Sequence, residues 1–296
     1  MERFEQQLLT GERALYGARD VSLSYCTFAD GESPVKECRN VALDHCLFRW
    51  KYPIWYSGHV TLNACTLFET ARAGIWYSKD ITVREGSIEA PKTFRRSEGI
   101  LLDRVSMPNA QETLWMCRDV ELRQVTTRGD YILMNSENLR IDGWKHNGNY
   151  AIDGAKHVEI RNSELVTKDA FWNCEDVYVR DSAIYGEYLG WNSKNVTLEN
   201  CLIDSLQGMC YMDNVRLINC RLINTTLAFE YSVVDATVQG RIDSVYNPRG
   251  GKIVAESIDR LIQDPRYTDP AGTEIRATVA DRAERPDWEK EENAGV

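Results

Sequence analysis

Eleven times along the chain a spaced apolar pair, Val-x-Leu or a close equivalent, returns at an almost constant interval. The pairs begin at Val21, Val41, Val60, Ile81, Ile100, Val120, Leu139, Val158, Val177, Val196 and Val215, in steps of 19 to 21 residues. A fixed period of this length denotes stacked units, each unable to bury its apolar face without the next.

Taking the first residue of each pair as an anchor, the second stands two positions later, so the pair is a strand with one face inward. Further apolar columns lie five and seven positions after the anchor, as in Cys26 with Phe28 and Cys46 with Phe48, and six before it, from Leu15, Val35 and Ile54 to Phe171 and Met209. The later columns predict a second strand entered through a bend that shifts the inward parity. The earlier one predicts a third. No dozen residues keep apolar positions three and four apart, so helices do not fit. Three strands per turn, each paired with its copy in the next turn, predict an all-β chain, a parallel β-helix of about 12 to 14 turns of about 19 residues. At ~4.8 Å per turn, the intervals between anchors give a rod of roughly 50 Å. A left-handed hexapeptide helix needs an apolar residue every six positions, and the right-handed form is preferred. Asn and Asp recur at the bends, at Asp20, Asn40, Asp80 and Asn138 before anchors and at Asn162, Asp181 and Asn200 before the second strand, because they tolerate left-handed backbone.

After Leu222 the register loosens, with Val234 or Ala236 as the next anchor and a further turn near Ile253. The expected organisation is one β-helix domain with its end caps over residues 1–275 and a polar C-terminal tail over 276–296. No apolar run approaches the ~20 residues that cross a bilayer, and the N-terminus lacks the basic and apolar regions of a signal peptide, so a cytoplasmic protein is expected, without membrane contact. A net charge of −10 disfavours nucleic acid as a partner.

Nine cysteines suggest metal or disulfides until they are placed in the repeat. Cys26, Cys46, Cys65, Cys201 and Cys220 share one inward column; Cys38, Cys117 and Cys174 share another with Ser and Ala. Small core filling explains them, with no CxxC and an odd count that fits a reducing compartment. No metal or cofactor is expected.

Five positions before the anchor stand Trp55, Trp76, Arg95, Trp115, Trp172 and Trp191. If the residue before each points inward, this column points outward as an indole ladder, a candidate surface for a saccharide, a protein partner or a second copy of the chain; the alternative is that the rings are covered. Asp153 interrupts the ladder, His146 lies close in sequence, and Asp169 and Tyr188 are expected at the same edge one and two turns on. Asp153, Asp169 and His146 are therefore candidate catalytic residues, and Tyr188 joins the candidate binding set. His146 also falls in an inward column, where a satisfied core residue is the plainer expectation. Glu121, Arg140 and Glu159, and likewise Arg123, Asp142 and Arg161, alternate in sign between turns as cross-strand ion ladders.

The strings KYPIWYS, ARAGIWYS, EAPKTFRRSEGI, NAQETLW, KDAFWNCEDV, GEYLGWNS and NTTLAFEYS, in this order, resemble the uncharacterised bacterial family known as domain of unknown function thirty-seven thirty-seven. The resemblance runs from about Thr10 to Ile275. It implies a single-stranded right-handed β-helix of the pectin-lyase-like type and no assigned activity. The polygalacturonase pattern of Asn-Thr-Asp, Asp-Asp, Gly-His-Gly and Arg-Ile-Lys is missing from the sequence, and fold analogy alone does not give a reaction. The leading expectation is a non-catalytic scaffold or binding protein; the alternative is a carbohydrate-active enzyme, similar to polysaccharide lyases or glycoside hydrolases, acting near Asp153.

Overall fold

A computed structural model describes residues 2–286; the rest of the expected polar tail, 287–296, lies outside the described residues. The chain divides into two compact units, Met1–Glu164 and Leu165–Val296. Each is a parallel β-solenoid. The anchors align turn on turn as the spacing predicts: Val21 faces Val41, Ile81 faces Ile100 and Leu139 faces Val158 in the first unit, and Val177 faces Val196 and Val196 faces Val215 in the second. Long strands run from Glu2–Glu5 to Lys156–Arg161 in the first unit and from Glu175–Arg180 to Thr273–Ala283 in the second, about fifteen turns in all. The extra turns lie at the ends, where the couplet is lost. Val234 continues the anchor column opposite Val215, and the last strand, Thr273–Ala283, passes beyond residue 275. The helical segments among the described residues are two three-residue 3-10 turns, Glu69–Ala71 and Pro270–Gly272, and none is long and apolar enough to cross a membrane.

Burial follows the columns. Val60, Leu62, Leu67, Ile75, Ile160 and Leu198 are fully enclosed, as are Cys46 and Cys220 in the column five after the anchor. Each turn changes direction through left-handed residues: φ is +56° at Asn40 and +54° at Asp119 just before the anchor, and +51° at Asn162 before the second strand. His59, at +55°, and Glu85, at +51°, adopt the same conformation without an Asn or Asp side chain. The turn-to-turn stack imposes it there.

The third strand is shorter than the columns suggest. It is a dipeptide at Ile54–Trp55, Ile75–Trp76 and Phe94–Arg95 in the first unit and at Phe171–Trp172 and Gly190–Trp191 in the second. At Leu114, Leu133 and Met209 the inward residue is itself left-handed, with φ of +60° to +64°, and the pairing shrinks to isolated bridges, Arg95 with Trp115 and Trp191 with Cys210. Three positions before the anchor a buried serine fastens this corner. Ser57 Oγ accepts the Cys38 amide at 3.0 Å and donates to the Val35 carbonyl at 2.7 Å, and Ser78 and Ser136 repeat both bonds one turn on from their own neighbours. Buried backbone groups that the short third strand leaves unpaired are satisfied in this way.

Candidate functional site

The indole ladder exists, with its rings half-buried. In the first unit Trp55 and Trp76 stack at 5.2 Å with planes 6° apart, and the Arg95 guanidinium lies between Trp76, at 4.8 Å, and Trp115, at 4.6 Å. Each indole N–H is tied to the carbonyl of a left-handed residue in the next turn: Trp55 to Ala73 at 2.6 Å, Trp76 to Lys92 at 2.8 Å and Trp115 to Tyr131 at 2.5 Å. Ring faces within the run are occupied by their neighbours. A saccharide ring that stacks on an indole needs a free face, so the middle of this ladder offers edges.

In the second unit Trp172 pairs by backbone with Trp191, Tyr188 meets the Trp191 ring edge-on at 6.5 Å, and Lys168 Nζ lies 5.0 Å over the Tyr188 ring. Trp191 then contacts Tyr211 at 4.7 Å with a 39° tilt.

Of the candidate catalytic residues, His146 and Asp153 belong to the first unit and Asp169 to the second. His146 is 3% exposed and wired into the core. The carbonyl of Gly148, 3.0 Å from Nε2, can only accept, so Nε2 carries the proton. Nδ1 then accepts from the Thr127 hydroxyl at 2.9 Å, and Thr127 in turn accepts from Trp144 Nε1 at 2.8 Å. Burial pulls the imidazole pKa down from 6.5 to about 4, so the ring is neutral near pH 7. Asp153 is half-buried, while Asp169 is 6% exposed, with its amide bonded to the Glu187 carbonyl. Among the described residues no group of three or more His, Cys, Asp or Glu is arranged to hold a metal ion. All nine cysteines are free and buried, and burial pushes the Cys117 thiol up to about 12. In the ion ladders Arg161 pairs across turns with Asp142 at 3.2 Å, whereas Arg123 folds back onto Glu121 of its own strand at 2.6 Å.

A column that the sequence reading passed over builds a more accessible feature. Four positions before the anchor stand Tyr56, Tyr77, Arg96, Met116 and Asn135, all left-handed, with φ from +49° to +55°. The turn that follows the dipeptide strand throws these side chains outward. A groove of about 380 Å³ runs along them in the first unit. One wall is Tyr77, Arg96, Met116 and Asn135; the other is Lys79, Glu98, Arg118 and Glu137; Ser97 and Cys117 form the floor. On the charged wall Lys79 pairs with Glu98 and Arg118 with Glu137, each at 3.0 Å. Tyr77 stacks on Tyr56 at 5.0 Å, and Tyr56 does not line the groove, so the other Tyr77 face is turned toward it. The signal was the recurrence of Tyr at 56 and 77, adjacent to the more conspicuous tryptophans.

Among curated proteins none matches the chain. Among solved structures PfbA, a surface adhesin of Streptococcus pneumoniae, is similar at 9% identity and a TM-score of 0.29 over 89% of this chain and 69% of that one, a likeness too distant to bear on function. The family model described as Protein of unknown function (DUF3737) matches residues 2–276, from the first strand into the last. A match over that span assigns the chain: it belongs to the DUF3737 family of proteins of unknown function.

Proposed function

We propose that this β-solenoid is a non-catalytic scaffold that binds a saccharide-like ligand in the groove along Tyr77, Arg96 and Met116. The observation that carries the reading is the Tyr77 ring, braced from behind by Tyr56 and turned toward a cleft whose opposite wall is a row of ion pairs. An aromatic face beside fixed donors and acceptors is the usual composition of a site that grips a polar ring. The indole ladder serves as the spine behind this surface, since its faces are covered by one another and its N–H groups are bonded.

The rival reading is a carbohydrate-active enzyme that uses Asp153, Asp169 and His146. His146 supports it poorly, because both of its nitrogens are engaged in the core and the ring resists protonation above about pH 4. Nine buried free thiols support a cytoplasmic location.

The test is a panel of oligosaccharides followed by calorimetric titration and by chromatography of the products. Binding without product formation, weakened about 10-fold or more by Tyr77→Asn, supports the scaffold reading. Asparagine suits the left-handed backbone at this position. Product formation that disappears in Asp153→Asn would overturn it in favour of the enzyme.

A further inference from the structure

The charges around the groove do not balance. Its lining holds three cations, Lys79, Arg96 and Arg118, against two carboxylates, Glu98 and Glu137. Both carboxylates are already committed to Lys79 and Arg118. Arg96 is exposed and has no ion-pair or ring partner among the described residues. Its neighbours in the same column, Tyr77 and Met116, carry no charge to offer it. In a chain of net charge −10 this is a local surplus of positive charge, at the place where an aromatic face is also on offer.

The backbone narrows the class of ligand further. The amides of Tyr77, Arg96 and Met116 donate to the next turn, at 2.9 to 3.0 Å, and those of Glu98 and Arg118 to the turn before, at 3.0 Å. These main-chain donors are therefore spent, and a peptide cannot add itself as another strand here. The ligand must be held by side chains: a ring on Tyr77, apolar contact with Met116, and an acidic group on Arg96. Four turns at ~4.8 Å each give the cleft the length of a short oligosaccharide lying along the stack.

We infer that the groove is specific for an acidic oligosaccharide, whose sugar ring stacks on Tyr77 and whose carboxylate or sulfate pairs with Arg96. This rests on the groove being the binding surface proposed above. A guanidinium is suited to either oxyanion because its planar fork presents two parallel N–H groups.

The experiment titrates the full chain with an alginate tetramer, a carrageenan tetramer and cellotetraose, which carry carboxylates, sulfates and no charge respectively. A poly-glutamate peptide serves as the non-sugar anion. The expected result is tighter binding of one or both acidic sugars than of cellotetraose, with the carboxylate and sulfate arms identifying the oxyanion. Arg96→Asn, which keeps a residue suited to the φ of +49°, should weaken the acidic sugar about 10- to 100-fold and cellotetraose by a much smaller factor. Tyr77→Asn should weaken every sugar. Acidic and neutral sugars bound equally, or Arg96→Asn without effect while Tyr77→Asn still acts, would overturn the acidic specificity and spare the groove. Sugar binding indifferent to Tyr77→Asn, or no sugar bound at all, would remove the groove itself. Arg96-dependent capture of poly-glutamate alone would overturn the sugar class. Matching circular dichroism and melting of the variants and the parent would confine these effects to the surface.

Discussion

The two units carry the same kind of aromatic ladder and build it differently. In the first, Trp55 on Trp76 and Tyr56 on Tyr77 lie with planes 6° apart. In the second, Trp191 meets Tyr211 at 39°, Tyr211 meets Tyr231 at 42° and Tyr231 meets Tyr246 at 57°. The flat pairs join equivalent positions of neighbouring turns, where identical backbone makes the rings parallel. Trp191 and Tyr211 belong to adjacent columns, five and four before their anchors. Tyr211 and Tyr231 are equivalent, but the turn that holds Tyr231 has no counterpart to the left-handed Asn214 before its anchor, and Val215 faces Val234 directly. Parallel stacking thus goes with a corner whose backbone repeats, φ being +55° at both Tyr56 and Tyr77, even across a step of 21 residues.

The core columns do not share this difference, and the largest effect should show it. Ile160→Asp in the first unit and Leu198→Asp in the second each place an unpaired charge at a fully buried position. Each should cost upwards of ~4 kcal/mol in denaturant unfolding. A variant that melts like the parent would refute the common register.

The ladders themselves should respond unequally. Trp76→Ala removes a half-buried indole, its stack on Trp55, its contact with Arg95 and its bond to the Lys92 carbonyl, a loss of ~3 kcal/mol. Tyr211→Ala removes a ring that is 42% exposed and tilted against its neighbours, and should cost ~1 to 2 kcal/mol. Equal losses would mean that flat stacking adds nothing.

Acid should separate the units at the scale of one side chain. His146 has a folded pKa of about 4, below the ordinary 6.5, so the unfolded chain binds the proton more readily. Its contribution to stability is complete above pH 6.5 and is lost as the pH falls toward 4, by up to about 3 kcal/mol. The equivalent positions of the second unit are Leu165, Ile184, Ile203 and Leu222, which do not titrate. Between pH 6.5 and 4, hydrogen exchange should therefore quicken first around His146, and His146→Gln should flatten that part of the profile. An unchanged profile in the variant would locate the acid sensitivity elsewhere.

Much of the fold was legible because a solenoid writes its contacts at a constant offset. Val60 over Val41 and Ile81 over Val60 are each one period apart, so counting residues amounts to counting contacts. The inward assignment of His146 followed from the same count. The short third strand was not legible, since Leu114 and Ile75 occupy the same column with opposite signs of φ, which apolar character does not encode. Nor was the state of the indoles: parity separates inward from outward, and a ring that folds along its strand to reach a carbonyl in the next turn is neither. Arg96 looks like any surface arginine in the sequence. Its lack of a partner emerges only once Glu98 and Glu137 are seen to be engaged by Lys79 and Arg118.

The serine corner bears on how such a chain changes over generations. Ser57, Ser78 and Ser136 each take an amide from the turn before and return a hydroxyl proton to it, so a turn that carries this serine ends in the complement of its neighbour's beginning. Two copies of the period can then recombine between turns that carry the serine, and the product gains or loses a complete turn whose new neighbours already fit. An exchange that misses the period by a few residues would set hydroxyls against the wrong carbonyls throughout the join. Inheritance at this corner is quantised, and chains descended from a common ancestor should differ in length by whole turns more readily than by fractions of one.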